Sequence, residues 1–341
     1  MAENKAVKLS SFDIGNPTST MTVVSGPRPA PGPGEVLVRL TLRPVNPADM
    51  FAIMGVYPGF TPDPASFPAV PGLEGVGVVA ENGAGAGKFA VGQRVSGAPF
   101  TSVQGGGGTW QQYIVAREAD LVPVPDAVGD EAAASWYINP VTVYGMLEAL
   151  AVPPGEYLLQ TAAGSVLGRQ IIQLARHRGI KTINVVRRQE LADELKSLGV
   201  DEAVVSSDGA GLADAVKAAT GGSLAYAAID CVGGDLFAAV AGAVRNAGTV
   251  IIYGAMSGLT ASFSIPDPLF RGVTIRGYWI NNHIGSLSAD EKAQVFDAVM
   301  QLLADKVITP YAGQRFPLDK VADAIGVATS AARGGKVLLE G

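Results

Sequence analysis

From about residue 150 the chain alternates two rhythms. Short runs rich in β-branched residues, Tyr157–Gln160, Lys181–Val186 and Glu202–Val205, are separated by segments with helical spacing. Leu167, Ile171, Leu174 and Ala175 recur every three to four positions within 166–178, and 190–198 repeats the pattern. Strand followed by helix, repeated, is the sequence form of βαβ units around a parallel sheet. Later strands fit 225–231, 249–253 and 273–280, and 289–307 reads as a helix. Before residue 140 the texture differs: EVLVRLT at 35–41 and PGLEGVGVVAE at 71–81 set β-branched residues between Pro and Gly, as short strands of an irregular sheet do. The final VLLE run predicts a strand that returns to this first lobe. The expected architecture is α/β: a β-rich catalytic domain over 1–140 and 300–341, split around a doubly wound parallel-sheet cofactor domain over 141–299.

Composition narrows what such a chain can do. Of 341 residues 48% are hydrophobic and 16% charged, which supports well-buried cores and argues against disorder. A net charge of -6 supplies no basic field for nucleic acid. One cysteine, Cys231, and two histidines, His177 and His283, exclude an internal disulfide and every thiolate-rich zinc or iron-sulfur arrangement. The amino terminus shows neither the apolar core of a signal peptide nor an Arg-rich transit pattern, so a cytoplasmic protein is expected. The uncharged stretch 132–147 is interrupted by Pro140 and Gly145 and is too short to span a membrane. A small-molecule substrate is therefore expected, without nucleic acid or membrane as partner.

The turn after the first strand of the α/β lobe reads Thr161, Ala162, Ala163, Gly164, Ser165, Val166, Leu167, Gly168. Small residues let backbone approach a pyrophosphate whose charge the following helix start favours. Ala162 and Ser165 stand where a dinucleotide fingerprint often has glycine, and a turn of small residues also occurs with no ligand at all. At the end of the second strand, where an Asp or Glu would bind the ribose hydroxyls of NAD, stand Arg187 and Arg188. Arginine there accommodates the 2′-phosphate of NADP, so NADPH is the expected cofactor. The alternative is a pair of solvated surface charges, although cations just before a helix oppose its positive end unless an anion lies nearby.

With these residues in hand the chain resembles the zinc-free quinone oxidoreductase branch of the medium-chain dehydrogenase/reductase superfamily, and within it the mitochondrial-type 2-enoyl thioester reductases. The resemblance is carried by VNPADMFAIMGVYPG at 45–59, FPAVPGLEGVGVV at 67–79, GTWQQYIV at 108–115, NPVTVYGML at 139–147, KTINVVRR at 181–188 and RGYWI at 276–280. It implies a GroES-like catalytic domain and a Rossmann cofactor domain, NADPH, and a homodimer joined through the strand around 273–280. Zinc members of the superfamily carry Gly-His-Glu where this chain has Gly72, Leu73 and Glu74, and enoyl reductases usually carry Gly-Asn-Glu there. Leu73 thus argues against zinc and leaves the substrate open between an acyl thioester and a quinone or small enone.

The resemblance also assigns roles. Hydride addition to the β-carbon of an enoyl thioester needs donors for the developing oxyanion and an acid for the α-carbon. A phenol, with an ordinary pKa of about 10, can serve if geometry holds it close. Tyr57, in Gly55-Val56-Tyr57-Pro58-Gly59, matches the segment that carries the family's catalytic tyrosine; its other reading is a packing residue. Asn139 and Thr142, three apart on one helix face, suit a nicotinamide carboxamide or, equally, a cap and a core-facing hydroxyl. Asn46 and Asp49 fix their loop or contact the cofactor. Tyr253, Gly254 and Ala255 close a strand at the ligand-binding edge, and Tyr278 and Trp279 border cofactor and substrate or are simply buried aromatics. An NADPH-binding structural protein without turnover is the alternative of another class.

Overall fold

The computed structural model describes residues 3–330 and 334–341. They form two compact units, Met1–Ile138 with Met300–Gly341, and Asn139–Val299. Unit one begins with β1 (Glu3–Leu9), β2 (Met21–Pro27) and β3 (Glu35–Pro44), then the short helix α1 (Pro47–Ile53). It continues through β4 (Val76–Asn82), β5 (Arg94–Gly97), β6 (Tyr113–Arg117), β7 (Leu121–Pro123) and α2 (Asp130–Ala134).

Unit two alternates. Helix α3 (Asn139–Leu150) leads into β8 (Tyr157–Gln160), α4 (Val166–His177), β9 (Lys181–Val186), α5 (Gln189–Ser197), β10 (Glu202–Val205) and α6 (Leu212–Ala219). Then follow β11 (Ala225–Asp230), α7 (Leu236–Gly242), β12 (Val244–Ile252), α8 (Pro266–Phe270), β13 (Thr274–Gly277) and α9 (Ile280–Ser286). After α10 (Ala289–Ala304) the chain completes unit one with β14 (Ala312–Pro317), α11 (Val321–Thr329) and β15 (Lys336–Glu340).

The six strands of unit two are all parallel and ordered β10-β9-β8-β11-β12-β13. The chain order therefore reverses between β8 and β11, and there the helices leave a crevice at the carboxyl ends of the strands. The inner strands β8, β9 and β11 are short and almost wholly buried, and Leu159, Ile183, Val185, Ala228 and Val250 join one core with Phe237 and Val240 of α7. In unit one β3 is the hub, pairing with β4, β6 and β15. Its inward residues Val36, Val38 and Leu40 share a core with Ile53, Phe60, Trp110 and Leu339.

Two expected strands are shorter than the pattern suggested. Of 273–280 only Thr274–Gly277 is strand, because Trp279 turns into the amino-terminal cap of α9 and Ile280 begins that helix. Of 71–81 only the part from Val76 pairs: Gly72 has φ +97°, and a Cβ there would meet the Trp110 ring at 2.3 Å. Among the described residues no helix is long and apolar enough to cross a membrane.

Candidate functional site

The turn between β8 and α4 is built for close approach. Ala162 has φ +49°, a left-handed conformation that costs a non-glycine residue roughly 1–2 kcal/mol. Gly164 cannot carry a side chain, since a Cβ would lie 2.3 Å from Leu191 of α5. At Gly168 a Cβ would lie 2.7 Å from the carbonyl oxygen of Ala163. Ser165 caps α4: its hydroxyl accepts from the Gly168 N–H at 3.0 Å, a contact of about 1 kcal/mol. The N–H groups of Val166 and Leu167, in the first helical turn, have no intrahelical acceptor. Such a helix start, with its positive dipole end, fits a pyrophosphate.

The ends of the adjacent strands brace this turn. Thr161 Oγ1 donates to Asp230 Oδ1 at 2.6 Å, and Asp230 also accepts from Val232 N–H at 3.2 Å and Gly233 N–H at 2.8 Å. Asp230 is wholly buried. Beneath the turn, Gln160 donates to Asn184 Oδ1 at 2.7 Å and to the Gly168 carbonyl at 3.1 Å. Arg169 donates to Gly164 O at 3.3 Å and to Glu194 at 2.7 Å. Sequence reasoning missed Thr161, Asp230 and Arg169; a carboxylate closing an otherwise apolar strand before a Gly-Gly pair was the available signal.

Tyr253, Gly254 and Ala255 follow β12 at the same edge, with Tyr253 N–H on the Asp230 carbonyl at 2.9 Å. Burial raises the pKa of the Tyr253 phenol and pushes that of the Cys231 thiol up to about 11. Both are neutral at pH 7. Arg187 and Arg188 lie exposed where β9 ends and α5 begins, Arg188 at the cap position. Among the described residues neither guanidinium has a hydrogen bond or an ion pair.

Asn139 and Thr142 occupy the first turn of α3, each 7% exposed, and no side-chain hydrogen bond engages either among the described residues. Tyr278 and Trp279 lie between β13 and α9, both half-buried.

In unit one Tyr57 lies half-buried in the loop after α1 and packs against the core. Its carbonyl accepts from Phe60 N–H at 3.0 Å. Gly55, at φ +78°, anchors the loop: a Cβ would come 2.6 Å from Phe12, whose ring meets Phe60 and Phe67 edge-on. Asn46 is 2% exposed and is held in a buried network, its amide donating to Glu74 at 3.0 Å and accepting from Lys336 at 2.5 Å. Asp49 closes the start of α1, accepting from Asn46 N–H at 2.7 Å.

A zinc ion does not fit this donor set. The second oxygen of Glu74 accepts from Ile138 N–H at 2.9 Å, Leu73 is an apolar buried neighbour, and unit one contains no histidine or cysteine. Among the described residues no group of three or more His, Cys, Asp and Glu side chains is placed to hold a metal ion. A dinucleotide fits better: the tight turn, the capped helix start and two arginines without a partner among the described residues suit its phosphates.

Two family models match the chain. The family described as alcohol dehydrogenase GroES-like domain matches residues 32–126, and that described as zinc-binding dehydrogenase matches residues 166–305. The mitochondrial enoyl-[acyl-carrier-protein] reductase of Arabidopsis thaliana is 32% identical over 296 residues, 85% of this chain and 76% of the relative. The chain belongs to the medium-chain dehydrogenase/reductase superfamily. The Caenorhabditis elegans protein of the same name is 34% identical over 267 residues, 77% of this chain and 73% of the relative. A crystal structure from Bacillus thuringiensis, described as a putative NADPH:quinone reductase, superposes with a TM-score of 0.87 at 28% identity, covering all of both chains. Unit one thus contains the superfamily's GroES-like domain and unit two its Rossmann domain.

Proposed function

We propose that this superfamily member reduces the carbon-carbon double bond of a 2-enoyl thioester at the expense of NADPH, without zinc. The observation that carries the reading is the Arg187-Arg188 pair: two cations with no partner among the described residues, set before a helix at the end of β9, call for the 2′-phosphate. Bound NADPH would supply a hydride to the substrate β-carbon. Every remaining task falls to the protein's own backbone and side chains. The helix start of α4 and the Ser165 cap hold the pyrophosphate, while Asn139 and Thr142 supply an amide and a hydroxyl to a carboxamide. Tyr57 delivers the proton to the α-carbon, directly or through one ordered water. The substrate class is supported by the enoyl reductases among the relatives, and the Bacillus structure supports a quinone as the competing reading.

Steady-state assays over crotonyl-CoA, longer enoyl-CoAs and a soluble quinone, each with NADPH and NADH, test the proposal. Turnover of enoyl-CoA with NADPH is expected; turnover of the quinone alone would replace the substrate, and equal use of NADH would remove the arginine argument. Elemental analysis should find no stoichiometric zinc. We further propose a cytoplasmic homodimer in which β13, at the edge of the six-stranded sheet, pairs with its copy across a two-fold axis. Beside that edge Ile265, Leu269 and Phe270 expose 61%, 65% and 79% of their surface, an apolar patch suited to burial. Light scattering that gives a monomer at micromolar concentration would sink the dimer.

A further inference from the structure

We propose that Gln160 and Asn184, two buried amides beneath the phosphate turn, are positioning residues that set the spacing between that turn and the Arg187-Arg188 pair. Through that spacing they decide how strongly the site prefers NADPH to NADH, an inference that rests on the arginines reading the 2′-phosphate.

Gln160 is the last residue of β8, and Asn184 stands opposite it in β9. Both are wholly buried, among Leu158, Leu159, Ile183, Val185 and Val186. The hydrogen bonds between them run in one direction. Asn184 Nδ2 donates to the Thr182 hydroxyl at 2.9 Å and to the Glu202 carbonyl of β10 at 2.8 Å, which leaves its oxygen for Gln160. Gln160 Nε2 donates to that oxygen at 2.7 Å and to the Gly168 carbonyl, in the first turn of α4, at 3.1 Å. A backbone carbonyl only accepts, so the Glu202 and Gly168 oxygens at the two ends fix the orientation of both amides. The relay joins β10, β9 and β8 to the helix that starts at the phosphate turn.

Strand pairing does not require it. Leu158, Leu159 and Gln160 already pair with Thr182, Ile183 and Asn184 through the backbone. The arrangement also leaves Gln160 Oε1 buried with no partner among the described residues, a cost that a methionine of similar length would avoid. What methionine would lose is the bond to Gly168, the member of the relay outside the sheet. Gly168 is held from two sides, its N–H by Ser165 Oγ at 3.0 Å and its carbonyl by Gln160. At the other end, Asn184 stands three residues before Arg187, with buried Val185 and Val186 between them. One chain of hydrogen bonds thus places the pyrophosphate turn and the arginine pair together.

NADPH needs both places at once. Its pyrophosphate and 2′-phosphate are joined covalently, so a turn displaced from the arginines lets one anion bind well and not the other. NADH carries the pyrophosphate alone and can follow the turn.

Fluorescence titration of the purified full chain with NADPH and with NADH tests the proposal. Wild-type protein should prefer NADPH. Gln160→Met fills the space and donates nothing; it should lose roughly tenfold in NADPH affinity and change little toward NADH. Gln160→Asn keeps an amide in the core should the apolar variant not fold. Shorter by one methylene, it cannot hold Asn184 and Gly168 together, and its preference should fall likewise. Loss of packing alone would lower the melting temperature and weaken both cofactors alike. A wild-type preference that survives in the folded variants overturns this proposal alone, as does a loss that falls equally on NADPH and NADH. Equal binding of the two cofactors by wild-type protein overturns the arginine reading and this proposal with it.

Discussion

Thr161 and Asp230 meet across the point where the parallel sheet reverses its order, the threonine hydroxyl 2.6 Å from the aspartate. The contact ties the residue that follows β8 to the last residue of β11, and with them the phosphate turn to the loop that starts at Cys231.

Asp230→Asn should weaken NADPH binding while the protein stays folded. The carboxylate accepts from Thr161, Val232 and Gly233; in an amide one oxygen becomes a donor facing another donor. A hydrogen bond to a charged group contributes about 1.5–3 kcal/mol, so roughly a ten- to hundredfold loss of affinity is expected if the turn shifts. Fluorescence titration with NADPH measures it. An unchanged dissociation constant would show that the phosphate turn does not depend on this tie.

Replacing Arg187 and Arg188 together by alanine should raise the Michaelis constant for NADPH at least about tenfold and leave that for NADH nearly as it was. Neither side chain has a partner to lose among the described residues, so stability should hold. A parallel rise for both cofactors would mean that the pair is not reading the 2′-phosphate.

The short central strands Tyr157–Gln160 and Lys181–Val186 were readable because burial on both faces forces a continuous apolar run, and the edge strand Glu202–Val205 was readable from its β-branched pair; all three have the bounds their composition indicates. Residues 273–280 misled because an apolar and aromatic run says little about where a chain turns: Tyr278 and Trp279 continue the strand's composition while Ile280 already begins a helix. Ala162 was read as a departure from a glycine fingerprint, and its φ of +49° shows that the position keeps the glycine conformation without the glycine. Asp230 left a local signal as a carboxylate before a Gly-Gly pair, but its partner Thr161 and the Asn46, Glu74 and Lys336 network were not legible, because these contacts join residues 69, 28 and 290 positions apart.

Asp49 makes the stability of the protein pH-dependent. Burial, opposed by the Asn46 N–H and reinforced by nearby Glu74, raises its pKa to about 7. One of its oxygens is buried without a partner. The folded chain therefore holds a proton that the unfolded chain releases above about pH 4, so this contribution falls as pH rises from about 4 to about 7 and then levels off. Asp49→Asn removes the titration and can keep the acceptor for Asn46. Its melting temperature relative to wild type should be higher at pH 8 than at pH 5 by a few degrees. The same difference at both pH values would show that Asp49 does not titrate in this window.

Tyr57 carries the sharpest expectation for the chemistry. Its ring packs against the core of unit one, on a loop that Gly55 seats against Phe12, so replacement by phenylalanine keeps the packing and removes the hydroxyl alone. Fold and NADPH affinity should survive. General acid catalysis contributes about 10²- to 10⁴-fold, so turnover of crotonyl-CoA should fall by a factor in that range, roughly 3 to 5 kcal/mol of barrier. A loss confined to turnover, with cofactor binding unchanged, marks an interaction made in the transition state and not in the ground state. A solvent isotope effect on the wild-type rate that disappears in Tyr57→Phe would place the lost step at proton delivery. If Tyr57→Phe reduces crotonyl-CoA at the wild-type rate while hydride transfer remains rate-limiting, Tyr57 only packs, and the proton must come from another donor.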